Sequence, residues 1–348
     1  MQQFLPKRLK RGDTVAILTV SWGGPAAYPA LFERGVANLT NLFGFTVREL
    51  PTTRMTSDEL SKNPRLRAED VNSAFRDSEI SAIISSIGGY DSMRILPYID
   101  PVAIIENPKI MMGYSDTTTI LSFANLLGAV TFYGPSVMGG LAQVDNMPPG
   151  YLDHITRFLT GVCADYRYSW FESWSDGYPD WVAAATLGQV SNKRENKEGW
   201  QWVQGKGVIE GQLWGGCIEV LEFLKGTDYW PDADFWNERI LFFETSEDKP
   251  PVREVVYMLR NYGLQHAFDR ASAIFFGRPK SYSDAEKGDL YRALKQVVGE
   301  EFGRPDLPIV ANMDFGHTDP KVILPLGARL RVDSERREIT VVEEFTRE

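Results

Sequence analysis

Short apolar runs alternate with stretches of helical spacing through the first third of the chain, an alternation that points to a parallel sheet covered by helices on both faces. Asp13-Thr-Val-Ala-Ile-Leu-Thr-Val20 is a continuous β-rich run, broken by Ser21-Trp-Gly-Gly-Pro25, a turn that no strand can continue. Tyr28 to Phe43 carries Leu31, Val36, Leu39 and Leu42 near a helical period, and Thr46-Val-Arg-Glu-Leu50 returns to a strand. The spacing then predicts a helix over Arg67 to Phe75 and a strand over Ile80 to Ile87 that ends at Gly88-Gly89. A further strand over Ile104 to Gly113 and a helix over Thr117 to Leu127 follow.

Past Met138 the pattern changes. Gly139-Gly140 and Met147-Pro-Pro-Gly150 punctuate a loop, and a helix over Tyr151 to Leu159 closes the first unit. All tryptophans but Trp22 fall between Trp170 and Trp236. Strands are expected at Lys206 to Gly211 and Ile240 to Glu244, flanking a helix at Ile218 to Leu224, and again at Ala271 to Phe276, Pro308 to Asn312 and Ala328 to Glu343. A length of 348 residues suits two domains. The expected division is an α/β domain over 1–165, an aromatic-rich linker and substrate loop over 166–205, and a smaller, β-rich α+β or barrel-like domain over 206–348.

Composition narrows the function classes. No apolar run approaches the roughly 18 residues of a membrane-spanning helix, and the start carries no long apolar segment of a secretory signal, so the cytoplasm is the expected compartment. The net charge is -10, and residues 1–160 hold 14 Lys and Arg against 15 Asp and Glu, which places most of the excess acid in the second part. Such a surface repels phosphate backbones and makes nucleic acid a poor partner. Cys163 and Cys217 form no disulfide framework or zinc spacing, and no metal is expected.

In a parallel sheet the ligand crevice lies beyond the carboxyl ends of the strands. There the run ending at Met112 delivers Gly113-Tyr114-Ser115-Asp116 straight into a helix, the setting that exposes a nucleophilic serine. Ser115 and Asp116 are also good helix caps, and the motif is not G-x-S-x-G, because Thr117 fills the last place. Gly88-Gly89 lets backbone amides approach a ligand or simply makes a tight turn. Neither a Walker spacing nor a strand followed by G-x-G-x-x-G is present. Of three histidines, His154 and His266 lie in helical surroundings, while His317 follows a short strand in Asp314-Phe-Gly-His-Thr-Asp319. Glu244 ends another apolar strand, where it could cap a helix or orient a histidine. Ser115, Glu244 and His317 thus occur in the nucleophile-acid-base order of one class of serine hydrolases.

Gly113-Tyr-Ser-Asp116 after a buried strand, Gly88-Gly89 before it, Gly215-Gly216 leading a helix, Glu244 and Phe315-Gly-His317 together resemble the LD-carboxypeptidase serine peptidases. That family includes the muramoyl-tetrapeptide carboxypeptidases and the microcin C self-immunity proteins. The resemblance implies an N-terminal Rossmann-like domain, a C-terminal β-rich domain, a homodimer and no cofactor. It also implies Ser115 as nucleophile, His317 as base, Glu244 as its orienting acid, and the amides of Gly89 and Asp116 as the oxyanion hole. The aromatic stretch from Gly161 to Gly205 looks more like the immunity branch, and its rings either pack the domain or stack a nucleobase. Trp181, after the turn Gly177-Tyr-Pro-Asp180, is the ring expected to face the crevice. Cys217 departs from the pattern, standing where many members carry asparagine, and leaves the substrate contacts of that position in doubt. Three functions follow as alternatives: a hydrolase of peptidyl or aminoacyl nucleotides, a muropeptide LD-carboxypeptidase, and a non-catalytic binding protein.

Overall fold

The computed structural model describes residues 3–348. Thr14–Leu18, Ile80–Ser85, Ile110–Gly113 and Thr131–Tyr133 are almost entirely buried, as strands of a helix-covered parallel sheet must be. With Thr46–Glu49 at one edge and Leu324–Leu326 at the other they form a six-stranded sheet. Leu324–Leu326 alone runs antiparallel, against Thr131–Tyr133. The helices Pro29–Asn41, Pro64–Arg76 and Thr118–Leu126 belong to this unit.

One expected strand is shorter than its apolar run. Ile104 and Ile105 lie in the helix Pro101–Glu106, and the strand is Ile110–Gly113. Asp100 caps that helix by accepting from the Val102 amide at 2.9 Å, and Pro101 is preorganised for its first turn. These start signals outweigh the β preference of two isoleucines.

The second sheet has eight strands. Val208–Cys217, Arg239–Glu244, Ala273–Gly277 and Ile309–Met313 form its parallel centre. Arg329–Asp333, Glu338–Val341 and Arg167–Tyr168 extend one side antiparallel, and Gln201–Gln204 closes the other. The two units meet closely at Gly216, where a Cβ would lie 2.4 Å from Thr118 Cγ2; at Gly215 one would lie 1.8 Å from the carbonyl oxygen of Phe242 on the neighbouring strand of its own sheet. Gly216 lets the second sheet approach the helix that follows Ser115. The consequence for function is that the carboxyl ends of both parallel arrays converge on one crevice.

Candidate active site

Tyr114 leaves the strand Ile110–Gly113 extended, and Ser115 then takes a φ of 58°, in the left-handed region, before the turn Ser115–Thr117 and the helix Thr118–Leu126. A non-glycine residue held there costs on the order of 1–3 kcal/mol and persists where its surroundings impose it. The turn aims Ser115 Oγ at His317 Nε2, 3.0 Å away. His317 Nδ1 lies 2.8 Å from Glu244 Oε2. The other Glu244 oxygen accepts from the Tyr133 hydroxyl, which itself accepts from the Ser115 amide at 3.2 Å. Ser115, Glu244 and His317, distant in sequence, therefore form one hydrogen-bonded chain across the two sheets.

Glu244 is fully buried at the end of Arg239–Glu244, so its orientation is fixed by packing. Gly316, with a φ of 96°, explains the glycine before His317: a Cβ there would stand 2.4 Å from Glu244 Oε2. Burial is the largest influence on His317 and favours its neutral form, but the charges and contacts of Glu244 and Glu247 outweigh it and raise the imidazolium to about 9.

Neither Ser115 nor Asp116 caps the following helix through its side chain. Ser115 faces His317, while the Asp116 carboxylate is buried and accepts from the Ser92 amide at 2.9 Å. Gly88 packs against the Ser115 turn, where a Cβ would sit 3.0 Å from Ser115 Oγ and 3.2 Å from the Asp116 amide nitrogen. Gly89, at a φ of 148°, would bring a Cβ to 2.3 Å from Ser21 Oγ. The glycine pair and the start of the helix thus border the space in front of Ser115.

That space is a crevice of about 310 Å³ lined by Ser115, His317, Gly88 and Gly89 and, on its aromatic side, by Trp22, Tyr28 and Trp181. Trp181 and Trp22 lie 6.4 Å apart at 35°, and Trp181 meets Tyr28 edge-on at 5.3 Å. The segment bearing Trp181 is tied to the loop after His317 by reciprocal backbone bonds between Ser175 and Asp319, at 2.7 and 2.9 Å. Most other rings pack the protein instead. Trp200 donates to the buried Asp314 at 2.9 Å, and Trp214, Trp230 and Trp236 cluster in the second unit. Cys217 pairs across the sheet with Glu244, does not line the crevice, and turns its thiol to Glu219 at 3.6 Å. Burial, with the charges of Glu244 and Glu219, pushes that thiol well above its ordinary value.

Sequence reasoning gave no crevice role to Trp22, Tyr90 or Lys280, which line the crevice together with Glu247. Each lies a few residues beyond the end of a parallel strand, at Leu18, Ser85, Glu244 and Gly277, so the strand-end rule could have found them. Tyr133, behind Glu244, itself ends the strand Thr131–Tyr133, whereas Tyr28 gave no comparable signal. Among the described residues no group of three or more His, Cys, Asp or Glu could hold a metal ion, and no helix is long and apolar enough to cross a membrane.

Two wound sheets, a strained serine between strand and helix, and a histidine and carboxylate brought from the second sheet define a serine-peptidase type of architecture. The chain belongs to the LD-carboxypeptidase family, peptidase family S66: residues 15–134 match its N-terminal domain and residues 210–332 its C-terminal domain. It is 30% identical over 341 residues to the microcin C7 self-immunity protein MccF of Escherichia coli, covering 96% of this chain and 94% of that protein. A murein tetrapeptide carboxypeptidase of Pseudomonas aeruginosa is 23% identical over 281 residues, 78% of each chain. The solved structure of MccF with aspartyl sulfamoyl adenosine superposes with a TM-score of 0.85 at 29% identity, over 99% of this chain and 100% of that one.

Proposed function

We propose that this protein is a serine hydrolase that cleaves an amide-type bond in an aminoacyl or peptidyl nucleotide through an acyl-enzyme. One juxtaposition carries the proposal: Ser115 Oγ, 3.0 Å from His317 Nε2, shares its crevice with the paired rings of Trp22 and Trp181. Ser115 attacks the carbonyl and passes its proton to His317, which returns it to the departing group and then activates water. Glu244 holds the imidazole in register and stabilises its charged form. The Gly89 and Asp116 amides take the developing oxyanion. Trp181 stacks the base, in keeping with the nucleoside analogue that MccF binds. Residues 1–165 thus supply the nucleophile, 166–205 the aromatic wall, and 206–348 the acid and base. The enzyme works as a cytoplasmic homodimer without a cofactor.

A second reading, trimming of muramoyl tetrapeptide by the same machinery, is favoured by the relative that carries that activity in its name. Incubating the protein separately with aspartyl sulfamoyl adenosine and with muramoyl tetrapeptide, and following products by mass spectrometry, decides between them. Release of aspartate from the first alone supports the nucleotide reading, and release of a terminal amino acid from the second alone transfers the assignment to muropeptides. Turnover of neither, with Ser115 inert to a fluorophosphonate, leaves a binding protein.

A further inference from the structure

His317 Nε2 touches two oxygens: Ser115 Oγ at 3.0 Å and Glu247 Oε2 at 2.8 Å. The second contact has no part in the catalytic sequence above, and it opposes it. A base that is to accept the serine proton needs a free lone pair on Nε2. A carboxylate in ion-pair contact with that nitrogen stabilises the proton already on it, while Glu244 does the same at Nδ1, 2.8 Å away. With a carboxylate at each nitrogen the ring is held as an imidazolium.

The two carboxylates differ in freedom. Glu244 is completely buried, whereas the Glu247 side chain is 46% exposed and lines the crevice. Glu247 stands on the segment after Glu244, which Glu219 anchors by accepting from the Ser246 amide and hydroxyl at 2.9 and 2.7 Å. Its backbone is thus tethered while its carboxylate can turn. Lys280 lines the same crevice and its charge bears on Glu247, so it offers an alternative partner. The other ionisable groups around His317 are placed otherwise: Tyr114 is edge-on at 5.1 Å, and Lys321 sits over Tyr114 while paired to Asp319 at 2.6 Å. Tyr90 and Asp248 lie on the Glu247 side and Tyr133 behind Glu244.

We infer that Glu247 is a latch on the base: in the free protein it keeps the proton on Nε2 of His317, and an occupant of the crevice must displace it before Ser115 can be activated. This rests on the proposed role of His317. The proton leaves to solvent as Glu247 turns away, the neutral ring then accepts the serine proton, and the bonds made and broken at the substrate are those already described. Glu247 is a positioning residue, since it acts only through His317.

The test is an NMR titration of protein labelled with ¹⁵N-histidine, in the wild type and in Glu247→Gln. The resonances separate because His154 is buried, with burial depressing it to about 3, and His266 is exposed. The latch requires the His317 midpoint to fall by about one pH unit or more in Glu247→Gln. The second-order rate of Ser115 labelling by a small fluorophosphonate should then rise about tenfold at pH 7, with its acid limb moved by the same interval. A midpoint that does not move, or labelling slowed equally at every pH, overturns the latch. A shifted midpoint with no labelling of either protein supports the Glu247 contact and instead removes the serine-hydrolase reading. Glu247→Ala serves as a second variant if the glutamine form does not fold.

Discussion

Gly316 shows how far the arrangement of Glu244 and His317 depends on a single absent side chain. The Cβ of alanine would collide with Glu244 at Oε2, Cδ and Cβ, between 2.4 and 2.8 Å, and Glu244 sits on a buried strand that cannot retreat. Gly316→Ala should therefore lower turnover by about 10²-fold, the usual cost of a misplacement near 1 Å, while far-UV circular dichroism stays native. Unchanged turnover would mean that Glu244 does not orient the base. Ser115→Ala should abolish turnover, by on the order of 10⁴-fold or more, without loss of fold. His317→Ala should match it, and the double variant should be little worse, because the groups act as a unit. Additive losses in the double variant would refute a shared chain of proton transfer. At this scale the meeting of Ser115, Glu244 and His317 was legible because each stands at or just past the end of an apolar strand. Glu247 lies just past a strand end, which puts it at the crevice, but a carboxylate in a polar loop carries no signal of the ring it touches.

At the scale of elements, the stretch between the two units has two jobs. Trp200 and the Phe171 amide both approach Asp314, itself in a buried ion pair with Arg278 at 2.7 Å, so part of the stretch braces the loop that presents His317. Trp181 is the part turned to the crevice. Its abundance of tryptophan was plain in the sequence, but not which rings brace and which face substrate, because their partners come from both sheets. If Trp181 stacks a purine, Trp181→Ala should weaken turnover of aspartyl sulfamoyl adenosine by roughly 1 to 3 kcal/mol, about 5- to 150-fold, and spare a small nucleotide-free amide. Its contacts with Trp22, Tyr28 and Tyr178 supply the competing outcome. Equal loss on both substrates with a lowered melting temperature would make the ring part of the packing, and undiminished activity on both would move the assignment toward muropeptides. The misread stretch at Ile104 belongs to this scale too: a six-residue helix is too short to display a period, so only its cap could have revealed it.

At the scale of the whole molecule, the units are interlocked by a strand that sequence order assigns to one and hydrogen bonding to the other. Leu324–Leu326 follows the whole parallel centre of the second sheet, yet it pairs with Thr131–Tyr133 as the edge of the first. Three residues with a central proline offer no strand pattern, which is why the crossing escaped sequence reasoning. The crossing has a thermodynamic consequence. Unfolding the first sheet strips the segment that follows His317, and unfolding the second releases that sheet's edge strand, so the two should melt together. Leu324 is fully buried, and Leu324→Ala should cost about 2 to 5 kcal/mol. The loss should appear as a single urea transition of lower midpoint, coincident by far-UV circular dichroism and by tryptophan fluorescence. Fluorescence reports mainly on the second unit and the stretch before it, because every tryptophan except Trp22 falls between Trp170 and Trp236. If Leu324→Ala shifts the circular dichroism curve and leaves the fluorescence curve in place, the units unfold independently. The site they share would then be joined by contact alone rather than by a common cooperative core.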